Sequence, residues 1–599
     1  MTQTPTAPAT TGPDTTGFGA IGPDTSGPGG QPAADPDAGT AAAVPDLETY
    51  LGDPHDPTNP VGYPAVLAAD ERGELLAAGE RALDGYGLNA EFVPRALGGR
   101  FDRADRLAQV LRAVFRRDTT LGVGYGVTTF IAATPVWTSG SAEQRRWMAD
   151  LLLRHGKASA GYNELAHGTD FTRARLRARP DGTRLLVNGR KELVGNLARA
   201  DAVTLFARTD DRPGSRSHSH LLLDMAALPP ERRRHLRRYR TAGVRGVLLG
   251  GLEFTDCPVP ADAVIGELGD AMETVLRAFQ VTRGVLPGMA VGIVDTQLRT
   301  VLRFGLDRRL YGLPVAELPH ARATLVGGFL DLLISDSLST VVARALHVLP
   351  AQTSVYTAAV KYLVPKLLQE ATQSLSVVLG ARSFLRDGPY GIFQKNIRDL
   401  LAATLTHASA AVCQATIIPQ LPRLAQHGWH RSTPAPPALF RLSDPIPALE
   451  FDRLGLSARG EDSLLATLRE HGAEPGTDPD VADLCGRLAA ELGRLRRLCA
   501  DLPPRDRTVI AGRRGFDLTD RYAVLLAAAA CLGVWRYNSD DPFLRDTPWL
   551  LAALSRLAAR LGLDPGTAAD GLEKHLYAEL LERHVDGRSF DLVNRRLAG

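Results

Sequence analysis

The sequence is poor in cysteine. Its 599 residues include five: Cys257, Cys413, Cys485, Cys499 and Cys531. They are scattered, odd in number, and form no Cys-x-x-Cys pair. This pattern argues against a disulfide framework and against a zinc knuckle, and it fits a reducing compartment. We therefore expect a cytoplasmic protein without a metal site.

An excess of charge is also missing. The formal net charge is +2, so composition gives no sign of nucleic-acid binding. No apolar run reaches the roughly 18–20 uncharged residues that a membrane span needs. The nearest, 522–535, is shorter and is predicted to be a buried helix. Before Ala41 there is neither a basic start nor an apolar stretch, so no signal peptide and no membrane partner are expected.

Several motifs of catalysis and nucleotide binding are absent too. The chain has no Gly-x-Gly-x-x-Gly opening a helix after a strand, no Walker lysine loop, no His-Glu-x-x-His and no Gly-x-Ser-x-Gly elbow. The glycines of segment 122–126 lie in a helical neighbourhood, so we interpret them as sites of close helix packing.

The pattern of residues along the chain predicts its division into domains. Hydrophobic residues make up 44%, ordinary for a globular protein, and the length predicts two to four domains. The fold class expected is α+β, mainly α. Its predicted parts are a disordered tail (1–44), an N-terminal helical domain (45–160), a central β domain (161–266), a C-terminal helical bundle (267–426), a linker (427–447) and a helical extension (448–599).

Local signals support this division. Apolar residues recur at three- and four-residue spacings over 102–115, which predicts a helix. Ser141 is predicted to cap the next helix, with Gln144 as its capping-box partner. Asp181-Gly182 and Asn188-Gly189 predict hairpin turns. The arginines of 232–238 predict a solvated loop, with docking of an acidic carrier protein or of CoA phosphates as the alternative. Further strands are expected at 202–206, 220–223 and 247–254.

Five segments carry a family resemblance. They are GYNELAHGTD (161–170), KELVGN (191–196), AFQVTR (278–283), FGLDRRLYGLPV (304–315) and Arg398-Asp399. In this order and spacing, from about 118 to 419, they resemble the motifs of acyl-CoA dehydrogenases and acyl-CoA oxidases.

The resemblance implies a complete architecture and a chemistry. The fold would be acyl-CoA dehydrogenase-like, with an N-terminal helical domain, a central β-barrel domain and a C-terminal helical bundle. Residues 448–599 would be an additional helical extension, as in larger acyl-CoA oxidases. The cofactor would be FAD, and the substrate an acyl thioester of CoA or of an acyl carrier protein. A homodimer or homotetramer is expected.

By resemblance, four residues would lie beside the flavin ring. Asn163 and Thr169 would lie on the loop that contacts flavin and thioester. Leu193 stands where the family has a tryptophan, and Gly195 where it has a threonine that bonds the flavin. Both departures leave more room on that face. Loss of flavin binding is the alternative.

Three more residues would contact the cofactor elsewhere. Arg308 matches the family arginine that reaches the pyrophosphate of a neighbouring subunit's flavin, a group that a guanidinium binds bidentately. Tyr311 would pack near the adenine. Ser409 stands at the threonine of the family's Tyr-Glu-Gly-Thr segment and would also face the cofactor.

The main departure concerns the catalytic base. Counting from Arg398-Asp399, the family glutamate becomes His407. Neutral imidazole can accept a proton, with an ordinary pKa near 6.5. His407 could thus replace the glutamate, act on a flavin peroxide, or be a structural residue of a helical segment. Arg283 matches a family arginine near the acyl cavity. Thr282 stands where one branch keeps its base, but a hydroxyl is too weakly basic for that role.

Three functions stay open from the sequence. The first is an FAD-dependent oxidoreductase acting on an acyl thioester, in specialised metabolism and with a non-standard base. The second is a flavin oxidase or monooxygenase on the same fold. The third is a flavin-free, non-catalytic subunit. The acyl group, the carrier and the electron acceptor are not determined by the sequence.

Overall fold

A helical region precedes the first strand. The computed structural model describes residues 46–599 except 213, 472–477, 509, 511 and 567–568, so the predicted disordered tail lies outside the described residues. The helices are α1 (Leu47–Leu51), α2 (Tyr63–Arg72), α3 (Ala77–Tyr86), α4 (Ala104–Arg117), α5 (Thr119–Leu121), α6 (Thr128–Ser139) and α7 (Ala142–Leu153).

Two local predictions in this region are confirmed. Ser141 accepts a hydrogen bond from the Gln144 N–H, and the Gln144 side chain accepts one from the Ser141 N–H, which completes the capping box. A π-helical turn, Gly122–Val127, joins α5 to α6. A Cβ at Gly122 would lie 2.5 Å from the Phe115 ring, so close packing requires glycine there.

The central region is a mixed sheet around its own apolar core. The strands follow the order β6-β7-β3-β2-β4-β5-β8, and β1 pairs with β4 in parallel. They are β1 (Ala158–Gly161), β2 (Arg177–Asp181), β3 (Arg184–Gly195), β4 (Ala202–Arg208), β5 (His218–Asp224), β6 (Arg233–Leu236), β7 (Leu249–Pro260) and β8 (Val264–Ile265).

One of the two predicted hairpin turns is confirmed. Asp181-Gly182 joins the antiparallel strands β2 and β3, and Gly182 has a φ of 61°. The prediction of a turn at Asn188-Gly189 was wrong, because the pair lies inside β3. Gly189 has a φ of 112° at a shift of register against β7, so the pair forms a β-bulge. A bulge and a turn both need the left-handed backbone that glycine allows, which is why the sequence signal is shared.

The arginine-rich segment 232–238 also differs from expectation. Its centre is strand β6, which pairs with β7 instead of forming a loop. Arg234 forms an ion pair with Glu253 on that neighbouring strand at 2.5 Å. Alternating side chains of an edge strand face solvent, so a run of arginines is compatible with strand pairing.

Long helices return after the sheet. They are α8 (Ala271–Asp307), α9 (Pro319–Val348), α10 (Thr353–Leu379), α11 (Gly391–Leu405), α12 (Ala410–Ile417), α13 (Leu421–Arg423), α14 (Trp429–Arg431), α15 (Ser463–His471), α16 (Pro479–Ala500), α17 (Arg513–Tyr537), α18 (Thr547–Arg560) and α19 (Ala569–Val585). A two-stranded ribbon of β9 (Arg309–Leu310) and β10 (Leu313–Pro314) follows α8.

Three of the described helical stretches are long and apolar enough to cross a membrane, by length and composition alone. They are 319–348, 391–431 and 513–537. In the first and third, 94% and 83% of the most apolar window is buried inside the protein. The third contains the predicted buried helix at 522–535. Packing inside the protein therefore accounts for the hydropathy of these two.

The segment predicted as a linker, 427–447, packs against its surroundings. Trp429, Leu439 and Phe440 are buried, and the Trp429 indole donates to Asp462 at 3.0 Å. Residues Asp46–Gly599 form one compact unit, so the C-terminal helices share a core with the rest of the chain.

A buried ionic network joins distant parts of that unit. Arg112 on α4 donates to Asp336 on α9 at 2.6 Å and to Asp591 near the C-terminus at 2.9 Å. Arg116 donates to the same Asp591 at 2.6 Å and to Asp295 on α8 at 3.0 Å. Burial disfavours the charged form of Asp591, but the two arginines outweigh it and hold the pKa of that carboxyl well below its usual range.

Asp591→Ala should therefore destabilise the protein strongly. It leaves two buried guanidinium groups short of a counter-charge, which costs about 3–5 kcal/mol. Denaturant unfolding would measure the loss. Asp586→Ala is the matched control, because Asp586 pairs with Arg588 at an exposed position, where such a pair contributes about 0–1 kcal/mol. Equal stability of the two variants would contradict the role of the network.

Candidate active site

A cavity of about 470 Å³ opens between α6, the sheet and the end of α11. It falls in the size range of small-molecule and cofactor sites. Its walls are mainly apolar, from α6, from the π-helical turn and from Leu401 and Leu405. Five of the residues selected from the sequence border it: Asn163, Thr169, Leu193, Gly195 and His407.

Strand β3 positions Leu193 and Gly195 at the sheet side of the cavity. The Gly195 carbonyl accepts a hydrogen bond from the Ser159 hydroxyl at 2.7 Å, which fixes the end of the strand against β1. A Cβ at Gly195 would lie 3.1 Å from the Thr128 methyl group on α6. Glycine thus lets α6 approach the sheet, and a threonine at this position would crowd Thr128.

The loop that carries Asn163 and Thr169 is held by Glu164. Its carboxylate accepts from the N–H groups of Arg175 and Leu176 at 2.8 and 3.0 Å and from the Lys191 ammonium at 2.8 Å. Burial disfavours ionisation, but Lys191 and the backbone donors outweigh it and lower the pKa of Glu164. Apart from the family motif, no sequence signal predicted this role.

His407 lies in the loop after α11, not on a helix as expected. It has a φ of 54°, and Ala408 has a φ of 91°. Left-handed backbone at non-glycine residues is strained and clusters at functional sites. The imidazole Nε2 forms a short hydrogen bond with the Thr282 hydroxyl. Its ring also contacts the edge of Phe279, with centroids 4.3 Å apart. These contacts from α8 fix its orientation.

The surroundings of His407 favour the neutral ring. Burial, followed by the charges of Arg283 and Lys361, holds the pKa of His407 well below its usual range. Lys361 is itself buried on α10, and burial lowers the pKa of its ammonium to about 8. His407 is therefore an uncharged imidazole at neutral pH, with a lone pair free on one nitrogen.

Thr282 determines which nitrogen is free. Its hydroxyl lies 3.4 Å from the carbonyl oxygen of Ala278 and 3.3 Å from that of Phe279, which precede it on α8 by four and three residues. When Thr282 donates to either carbonyl, it accepts from Nε2–H, and Nδ1 carries the lone pair. That tautomer is the one suited to accept a proton.

Arg283 lies beside this imidazole and does not border the cavity. It is 5% exposed, and its guanidinium carbon is 5.3 Å from the centroid of the Phe279 ring that also contacts His407. Burial lowers its pKa.

Three predicted cofactor residues are not brought to the cavity. Arg308 follows α8 at an exposed position, and Tyr311 is 94% exposed in the turn between β9 and β10. Ser409 stands at the start of α12 without a side-chain cap hydrogen bond. None of the three borders the cavity. Their cofactor roles stay predictions.

Sequence reasoning missed the role of Asp399 in building the cavity wall. Its carboxylate accepts from the Val244 N–H at 2.6 Å and from the Lys395 ammonium at 2.5 Å. It thereby ties α11 to the loop of residues 241–247, which lines the cavity. The i,i+4 spacing of Lys395 and Asp399 on one helix was a signal that could have found the ion pair.

Comparison with known proteins agrees with this architecture. Residues 269–418 match the family model described as the acyl-CoA dehydrogenase C-terminal domain. Human mitochondrial short-chain specific acyl-CoA dehydrogenase is 26% identical over 257 residues, which covers 43% of this chain and 62% of the relative. The matched region thus spans less than two thirds of that relative's length.

Comparison with solved structures matches a larger part of the chain. An acyl-CoA dehydrogenase from Bacillus anthracis, solved in complex with FAD, superposes with a TM-score of 0.67 at 14% identity and covers 90% of this chain and 94% of that one. A prolyl acyl carrier protein oxidase superposes with a TM-score of 0.53 at 19% identity and covers 59% of this chain and 92% of that one. The helical–sheet–helical fold is therefore the one found in these solved structures. Together, motifs, family model and fold show that the chain is similar to acyl-CoA dehydrogenases.

The cavity fits a flavin ring. Its walls are mainly apolar at α6 and β3, and Asn163 and Thr169 supply polar groups. The hydroxyl of Tyr162, next to Asn163, is buried without a hydrogen-bond partner among the described residues. A few polar groups converging on an apolar pocket are typical of cofactor sites.

The neutral state of His407 can be tested through stability. An imidazole with a pKa below that of the unfolded chain binds fewer protons when folded, so the free energy of unfolding falls as pH decreases through about 6.5. Between about pH 7.5 and 5.5, the unaltered protein should lose more stability than His407→Gln. Denaturant unfolding at several pH values would measure this. The other histidines are common to both proteins, so parallel curves would contradict the depressed pKa.

Proposed function

We propose that this protein is an FAD-dependent oxidoreductase of the acyl-CoA dehydrogenase type that acts on an acyl thioester. The observation that carries the proposal is the neutral His407 bordering the cavity at the position of the family glutamate. The flavin-free alternative is weaker, because the cavity retains room and polar groups suited to the ring.

The cofactor would be held by the residues around the cavity. Leu193 and Gly195 would lie against one face of the ring, and Asn163 and Thr169 would approach its polar edge. FAD bound there supplies the acceptor for a hydride from the β-carbon of the acyl group.

The chain's own part in the reaction is proton removal. His407 Nδ1 would accept the α-proton, while Thr282 accepts from Nε2–H and holds the ring in that tautomer. The apolar side chains from α6 and α11 that line the cavity would shield the reacting carbons from water.

A basic recess next to the cavity supports a phosphate-bearing carrier, CoA or the phosphopantetheine of a carrier protein. The recess is about 540 Å³ and shares Thr241 with the cavity wall. Four arginines line it: Arg72, Arg238, Arg240 and Arg245. Among the described residues, Arg240 has no hydrogen bond or ion pair, so its charge is free for a phosphate.

An oxygen-using relative, an oxidase or monooxygenase of specialised metabolism, is the second candidate. The departures at Leu193, Gly195 and His407 all border one cavity, and a structural neighbour is named an oxidase of a prolyl carrier protein. Both observations favour a non-standard reaction.

We also infer an oligomer with shared cofactor sites. Arg308 and Tyr311 are exposed away from the cavity, which suits contact with the FAD of a second subunit in a homodimer or homotetramer. All five cysteines are free and buried, in keeping with a cytoplasmic location.

His407→Ala decides between these reactions. As the α-proton base, His407 should contribute about 10²–10⁴-fold to anaerobic flavin reduction by a thioester, with FAD content unchanged. Stopped-flow absorbance would measure it. Thr282→Ser should retain the rate and Thr282→Val should lower it. If His407 instead serves oxygen chemistry, reduction survives and reoxidation changes. Unchanged traces in both phases would remove His407 from the mechanism.

Arg308→Ala should weaken FAD binding. Loss of a charge-assisted contact worth about 1.5–3 kcal/mol lowers affinity about 10- to 100-fold. Flavin absorbance per subunit, together with light scattering, would measure occupancy and assembly. Arg309→Ala is the matched control, since the Arg309 side chain donates to the Gly312 carbonyl within its own turn. A monomer with FAD fully bound would contradict shared sites.

A further inference from the structure

Arg283 is a buried cation that has no counter-charge in the described part of the chain. Among the described residues it makes no hydrogen bond and no ion pair, and its Nε is enclosed without a partner. Its two terminal nitrogens likewise have no hydrogen-bond partner among the described residues, so the guanidinium fork is available to an anion. An unpaired buried charge is costly, and folded proteins normally pair it.

A second buried cation stands nearby. Lys361, 2% exposed, donates to the Ala403 carbonyl and, among the described residues, forms no ion pair. The electrostatic neighbours of Arg283 and Lys361 are His407 and the buried Cys413, and no carboxylate is among them. Replacement of the family glutamate by His407 thus leaves a positive pocket beside the cavity without its anion.

Arg283 does not border the cavity, but it lies beside His407, which does. Phe279, Thr282 and Arg283 lie three and four residues apart on α8 and share one face of the helix. Phe279 contacts both the imidazole and the guanidinium. An anionic group of the acyl chain that reached past His407 would meet the Arg283 fork.

We propose that the substrate's acyl group carries a carboxylate that pairs with Arg283. This inference rests on the proposed function and names its substrate class, an acyl thioester with a second acidic group. A bound carboxylate neutralises Arg283, and removal of that charge strengthens the imidazole of His407 as a base. Substrate binding and proton transfer are then linked, because the substrate supplies the negative charge that a catalytic glutamate would have provided.

The test compares matched thioesters. Malonyl-, succinyl- and glutaryl-CoA would be paired with propionyl-, butyryl- and pentanoyl-CoA, and binding to the FAD-loaded protein measured by anaerobic calorimetry. At least one carboxylated member should bind about tenfold or more tightly than its partner. Arg283→Met should abolish this preference while keeping FAD, and Arg283→Lys should restore part of it.

Arg240→Met is the control for the carrier end. It should weaken both members of each pair equally, because Arg240 lies in the recess and not beside His407. Tighter binding of the uncharged thioesters, or a preference that persists in Arg283→Met, would overturn the inference. If uncharged thioesters bind and reduce the flavin, the proposed function stands even when this inference fails. If no thioester of either series binds, the proposed function fails.

Discussion

The pairing of Arg112 and Arg116 with Asp591 is the constraint on which the arrangement of helices depends. One carboxylate near the C-terminus satisfies two guanidinium groups of α4, which also reach α8 and α9. Buried charges of this kind tolerate few alternative geometries, because any displacement leaves a cation unpaired in low dielectric. The network thereby fixes the end of the C-terminal extension against the first helical region and the helices that carry the site.

The site shows the opposite electrostatic design. Where acids balance Arg112 and Arg116 in the core, Arg283 and Lys361 beside His407 have none among the described residues. The rule that buried charges need partners therefore distinguishes the structural ion pairs from the site. Balanced charges stabilise the fold. At the site, burial and then the unbalanced charges of Arg283 and Lys361 lower the pKa of His407, and those charges favour an anionic ligand.

The sheet and the helices form different sides of the cavity. Strand β3 and the Glu164-anchored loop define the face expected to hold the cofactor. Helix α8 orients His407 through Thr282 and Phe279 from the other side. Because His407 lies in a strained loop, its position follows from these contacts and not from a local preference of the chain.

Much of the fold and part of the site could be predicted from the sequence. Helical periodicity, the Ser141 capping box and the Asp181-Gly182 turn depend on residues close in the chain, so local patterns determine them. The motif order was enough to select five residues of one cavity. The sequence could not separate a bulge from a turn at Gly189, because both use the same backbone. Nor could it show that Arg283 lacks an acid, or that Thr282 holds His407, since those partners are distant in sequence and meet only through tertiary packing.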